Sequence, residues 1–107
     1  GTPLGITGIT YIDWVNRHAD VHFYIGHNFE WIDTKYSNKA FKLILNYGFN
    51  HLNLNKLWAE IYEIDTKKLE FFKSYLFKTD ATLRDHYYYK GQYYNSHILS
   101  LLKNEYK

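Results

Sequence analysis

Between His22 and Phe77 the period of the chain changes from two to that of a helix and back again, and this limits the folds open to it. Ala19, Val21, Phe23 and Ile25 fall on one side of a segment whose other side carries Asp20, His22 and Tyr24, the alternation of a half-buried strand. Gly26 ends it. Beyond a loop from His27 to Lys35, the residues Tyr36, Ala40, Leu43, Ile44, Tyr47 and His51 recur at helical spacing and predict one face of a helix. Leu57 to Ile64 is again rich in strand formers. Asp65-Thr66 then caps a second, shorter helix with the stripe Leu69, Phe72 and Leu76, running to about Tyr75. A strand that feeds a helix N-terminus is a common way to hold a phosphate-bearing cofactor. Here the connecting loop lacks the glycines such a site usually has.

The flanks add strands. Leu4 to Ile12 reads as a strand interrupted by Gly5 and Gly8, followed by a polar turn over Asp13 to His18. Phe77 to Tyr89 and Tyr93 to Leu102 read as two strands joined through Lys90-Gly91-Gln92, a short glycine-containing hairpin turn. The predicted order is β-β-α-β-α-β-β in one α/β domain over 1–107, since a chain of 107 residues supports one core.

Several functional classes are disfavoured by composition. With no cysteine, disulfides, thiolate metal sites and a cysteine nucleophile are ruled out. His18, His22, His27, His51, His86 and His97 are scattered without ligand spacing, so no metal site is expected. Thirteen basic and eleven acidic side chains are interspersed, giving a formal charge of +2 and no basic face for nucleic acid. Aromatic residues make up 21% of the chain, enough to raise the idea of stacking on single-stranded nucleic acid, but filling a core accounts for them more simply. No apolar run approaches a membrane span and no signal peptide is evident, so a cytoplasmic protein without a membrane partner is expected.

Four phrases in this order resemble the GNAT acyltransferase superfamily: Phe23-Tyr24-Ile25-Gly26, Ala40 to Phe49, Leu52 to Leu57, and Leu83 to Tyr94 with its ending Lys90-Gly91-Gln92-Tyr93-Tyr94. They are most similar to its branch of ribosomal-protein, spermidine and amino-sugar N-acetyltransferases. The resemblance covers nearly the whole chain and implies a mixed, mostly antiparallel sheet flanked by helices. It also implies that the chain lacks the family's usual N-terminal elements, which help form the acceptor side. The first strand is then an exposed edge, and a homo-oligomer or pairing with a missing N-terminal segment is expected.

The resemblance further implies direct transfer of an acetyl group from acetyl-CoA to a primary amine of a small molecule, amino-sugar or protein N-terminus. The backbone of Phe23, Tyr24 and Ile25 would pair with the pantetheine arm, and one of its amides would polarise the thioester oxygen. The family's pyrophosphate loop, Gln/Arg-x-x-Gly-x-Gly/Ala, falls on Ile32, Lys35 and Ser37, where both glycine positions carry side chains. Lys35 and Ser37, with Tyr36 and Asn38 beside them, remain the candidates for holding coenzyme A. Asp65 stands where the family has Asn before the second helix, and is a further candidate for binding the cofactor. Phe72 stands where the family has the Tyr proposed to protonate the departing thiolate. Asp20 and His22, on one face of the strand, are the candidate catalytic bases.

Other motifs carry less. In Arg84-Asp85-His86, strand alternation would send Asp85 to the face opposite its neighbours, and no serine is placed to complete a triad. Lys67 and Lys68 oppose the dipole at the start of the second helix and hint at an anion nearby. The competing reading is a degenerate, non-catalytic GNAT-like binding or assembly module, favoured by the altered loop, Asp65 and Phe72.

Overall fold

The computed structural model describes residues 5–25 and 35–106, with side chains described over 8–21 and 38–106. The expected loop from His27, with Ile32, lies outside the described residues. The elements are β1 (Gly5–Asp13), β2 (His18–Ile25), α1 (Lys35–Asn46) running into a π-helical turn (Tyr47–His51), β3 (Lys56–Tyr62), α2 (Thr66–Ser74), β4 (Lys78–Tyr89) and β5 (Gln92–Leu102). They form one five-stranded sheet in the order β1-β2-β3-β5-β4. Every neighbouring pair is antiparallel except β2 and β3. The predicted element order and mixed sheet are therefore present, with β1 and β4 at the two edges.

Local chemistry explains the turns. After β1 the Asp13 carboxylate accepts the backbone N–H groups of Val15 and Asn16 at 3.0 and 2.9 Å, an Asx-type turn that reverses the chain. Arg17 closes it with φ 60°, and its carbonyl accepts the N–H of Asn55 at 2.7 Å. The turn is thereby fastened to the start of β3. Between β4 and β5, Lys90 and Gly91 both have positive φ, 48° and 81°, which suits the right-handed twist of a two-residue hairpin.

The core lies between one face of the sheet and both helices. Ala19 and Val21 of β2, Leu57, Ala59 and Ile61 of β3, and Leu99 and Leu101 of β5 pack against Phe41, Leu45 and Phe49 of the first helical stretch and Phe71 and Phe72 of α2. Phe41 is the hub. Its ring meets Phe71, Phe72, Tyr75 and Phe77 with centroids 4.8–5.8 Å apart, mostly edge-on or tilted, as ring quadrupoles prefer.

The first helical stretch is rotated from the face its stripe predicts, with Ala40 and Ile44 only partly buried against the core, whereas α2 keeps Phe72 and Leu69 of its stripe on the core. Leu43 and Tyr47, 62% and 50% exposed, and His51 point outward, while Phe41, Leu45, Gly48 and Phe49 are buried. Apolar residues at 40, 41, 43, 44 and 45 offer two overlapping stripes about 100° apart, and periodicity cannot choose between them. Packing chooses the one containing Gly48. A Cβ there would sit 2.9 Å from Leu57 Cδ1, so any other residue requires the Leu57 side chain to shift for the helical stretch to approach β3 this closely. In α2, Lys68 and Phe71 are buried beside Phe72, while Leu76 is 58% exposed with φ 72° and lies past the helix end.

Alternation also fails at Arg84-Asp85-His86. The ladder with β5 shifts between Leu83 and Tyr87, and Asp85 has φ 47° with its N–H donated to Asn95 Oδ1 at 3.1 Å. This bulge replaces the regular strand predicted there. His86 Nε2 lies 3.5 Å from Glu60 Oε2, an oxygen that also accepts the Ser96 hydroxyl at 2.6 Å.

Candidate active site

The site begins where β2 and β3 part. Their parallel ladder holds only His18 to Lys56, Ala19 to Leu57 and Asp20 to Trp58. Beyond it β2 continues to Ile25 paired with β1 alone, and β3 continues to Tyr62 paired with β5 alone. Two strand edges thus face each other without a shared ladder. Backbone donors and acceptors on such edges are suited to pairing with an extended, amide-bearing ligand. Phe23, Tyr24 and Ile25 lie on this stretch, their backbones in register with Thr7, Ile6 and Gly5 of β1.

Asp20 marks the closed end of the opening. Ala19 and Val21 point into the helix-side core, so Asp20 projects from the other face, half-buried and in register with Trp58. His22 follows two residues on, opposite Gly8, and its side chain lies outside the described residues. Lys35, Tyr36 and Ser37 form the first turn of α1, their side chains likewise outside the described residues.

Asn38, in that first turn, is tied to the end of α2. Its Oδ1 accepts the Tyr75 hydroxyl at 2.6 Å. Tyr75 was not among the sequence candidates, because its position at a helix end carries no spacing signal. It is half-buried against Phe41 and Phe71, so the hydroxyl reaches α1 from an aromatic base.

Asp65 is the N-cap residue of α2, yet its side chain makes no capping hydrogen bond. Its Oδ1 is buried with no hydrogen-bond partner. Burial pushes its carboxyl above the ordinary range, and the nearby charge of Lys68 works against that rise. Lys68, only 7% exposed, is the second residue that the candidate set lacked. Burial lowers its ammonium below the usual lysine range, opposed by Asp65 and then by Asp20. The structure thus brings the candidates Asp20 and Asp65 within the electrostatic reach of one buried cation. The adverse placement of Lys68 at a helix N-terminus was the signal that could have found it.

Phe72 is fully buried, with Phe41 and Phe77 around its ring at centroid distances of 4.9 and 5.1 Å. It offers no proton. Among the described residues no group of His, Asp and Glu could hold a metal ion, and no helix is long and apolar enough to cross a membrane.

The profile of the acetyltransferase (GNAT) domain matches residues 1–98. The chain belongs to the GNAT acetyltransferase family. Its GNAT relatives include the uncharacterized N-acetyltransferase p20 of Bacillus licheniformis, 31% identical over 103 residues, covering 96% of this chain and 57% of the relative. Another is the spermidine N(1)-acetyltransferase of Escherichia coli, 24% identical over 106 residues, covering 99% and 56%. The chain therefore spans a little over half the length of these curated relatives. Among solved structures, spermidine N-acetyltransferase from Vibrio cholerae in complex with CoA and spermine superposes with a TM-score of 0.84 at 18% identity, covering 96% of this chain and 60% of the other. A dodecameric structure of the Vibrio cholerae enzyme gives the same TM-score and covers 97% and 60%. These likenesses show that the GNAT fold is shared.

Proposed function

We propose that this GNAT domain transfers an acetyl group from acetyl-CoA directly to the primary amine of a small molecule. The observation that carries the reading is the β2–β3 opening, with its unpaired strand edges and Asp20 at the closed end. The backbone of 23–25 would align the pantetheine amides, and an N–H on that edge would polarise the thioester carbonyl. Neither role depends on side-chain identity, so both survive divergence of the loop. The buried, donor-less Oδ1 of Asp65 fits an amide N–H of the same arm. Lys35, Tyr36, Ser37 and Asn38, at the start of α1, are assigned to the phosphate end, where the helix dipole favours negative charge.

Asp20, with His22 beside it, takes the proton from the attacking amine, directly or through water. Relatives named for spermidine favour a linear cationic amine over an amino-sugar or a protein N-terminus as acceptor. Because a structural neighbour is described as dodecameric, we also assign the chain to a homo-oligomer.

Thermal unfolding with and without acetyl-CoA tests the donor site. At a hundred times its dissociation constant the ligand should add about 2.7 kcal/mol to stability. No shift at millimolar acetyl-CoA would refute the enzymatic reading and leave a non-catalytic GNAT module. With binding established, spermidine should be turned over faster than glucosamine, and Asp20→Asn should lower kcat while sparing acetyl-CoA affinity.

A further inference from the structure

A tyrosine at the end of α2 reaches across to the first turn of α1. Tyr75, the residue that closes α2, donates its hydroxyl to Asn38 Oδ1 at 2.6 Å, between residues 37 positions apart in sequence. The ring is seated by a second contact with the same helix. Phe41 lies three residues after Asn38, hence on the same side of α1, and its centroid is 4.8 Å from that of Tyr75. Phe71 supports the ring from α2 at 5.3 Å. Ring and hydroxyl thus grip α1 at two points about one turn apart.

A phenylalanine would fill the same place in the aromatic cluster. What the hydroxyl adds is a fixed orientation for the Asn38 amide. With Oδ1 engaged as an acceptor, Nδ2 keeps both of its N–H donors, and no hydrogen bond among the described residues uses them. Asn38 belongs to the first turn of α1, beside the backbone N–H groups that a helix leaves unpaired at its start.

We propose that Tyr75 is a positioning residue for the acetyl donor: it holds the Asn38 side-chain amide so that Nδ2 donates to a phosphate oxygen of acetyl-CoA. The inference rests on the acetyl-transfer reading, which assigns the start of α1 to the phosphates. Lys35 and Ser37 stand at the two glycine positions of the family's loop, where side chains hinder close approach of the backbone to phosphate. A side-chain donor held in place from a second helix offsets that loss. Its hydrogen bond to an anionic oxygen is of the stronger, charge-assisted kind.

The test compares two donors, acetyl-CoA and S-acetylpantetheine, the latter having the same thioester arm without the phosphates. Thermal unfolding verifies the fold of each variant, calorimetry gives acetyl-CoA affinity, and transfer to spermidine gives kcat/KM with each donor. Tyr75→Phe keeps the ring and should weaken acetyl-CoA binding roughly three- to tenfold, the usual worth of one hydrogen bond, while kcat/KM with S-acetylpantetheine stays at the wild-type value. Adding Tyr75→Phe to Asn38→Ala should cost nothing more, because the hydroxyl acts only through that amide. Asn38→Asp probes the donor independently of Tyr75→Phe. It keeps an oxygen for the Tyr75 hydroxyl and suits a helix start, so stability should hold or rise. It also sets a carboxylate against phosphate, so acetyl-CoA binding should fall at least as far as in Tyr75→Phe. Wild-type acetyl-CoA affinity in folded Tyr75→Phe or Asn38→Asp would overturn the assignment. So would equal losses with the two donors, which would mark a merely structural role, or additive losses in the double variant. If wild type neither binds acetyl-CoA nor transfers from either donor, the acyltransferase reading fails and the assignment falls with it; wild-type affinity in the variants alone leaves that reading standing.

Discussion

Replacing Phe41 by alanine is the sharpest test of how the helices hold the site. Phe41 is fully buried, and its ring is the common neighbour of Phe71, Phe72, Tyr75 and Phe77. Alanine would open a cavity against four rings that all come from the end of α2 and the residues just after it, so the link between α1 and α2 is what the change removes. Core Phe→Ala changes cost about 3–5 kcal/mol, and the ring-to-ring contacts place this one toward the upper end. A domain of this size has on the order of 5–15 kcal/mol in total, so about a fifth of the stability or more would be lost. The midpoint of thermal unfolding should fall by about 12–40 °C. Leu43→Ala is the control: it removes a comparably apolar side chain from the exposed face of the same helix and should stay within about 0.5 kcal/mol. Urea unfolding followed by intrinsic fluorescence measures both, with the slope of the transition verifying that each remains two-state. The periodic stripe read from sequence predicts the reverse order of costs. If Leu43→Ala proved the more damaging, or Phe41→Ala cost under about 1 kcal/mol, the helix orientation described above would be wrong.

Two further predictions concern packing and pH. Gly48→Val should destabilise by about 1–3 kcal/mol in the same assay, because a Cβ at this position already meets Leu57 Cδ1 at 2.9 Å and Ile9 Cδ1 at 3.2 Å. Gly48→Ala should be milder, as alanine regains part of the loss through helix propensity. Asp80 is held below the ordinary aspartate range by the Ser100 hydroxyl at 2.6 Å and then by Lys56 at 2.9 Å. Its folded pKa lies under its unfolded one, so its contribution is complete above the unfolded value and is lost as pH falls through the folded value. Asp80→Asn should therefore show a shallower loss of thermal stability between about pH 5 and pH 2; an unchanged acid limb would show that the pair contributes nothing.

How much could be read beforehand varied from element to element. Alternation over Ala19–Ile25 and the hairpin at Lys90-Gly91 were legible because a strand's period and a positive-φ turn are properties of adjacent residues. The bulge at Asp85 was not, because it answers to Asn95 on the neighbouring strand. The candidate bases and binding residues were named from a family resemblance, which could place Asp20 and Asp65 but could not show that a single buried lysine lies near both. Lys68 was visible only as a charge of the wrong sign for its helix end. Tyr75 gave no warning.

By itself, the sequence determined the order of elements, since short-range periodicity and turn chemistry are written in neighbouring residues, while the mixed sheet and the GNAT family were expected from the resemblance of four phrases to that family. Tertiary structure alone decided which helix face is buried, where β2 and β3 separate, and how the start of α1 is tied to the end of α2. Those outcomes depend on contacts between residues 30 or more apart, such as Asn38 with Tyr75 and Ser96 with Glu60. They are settled by close packing, as where Gly48 lies against Leu57 and Ile9.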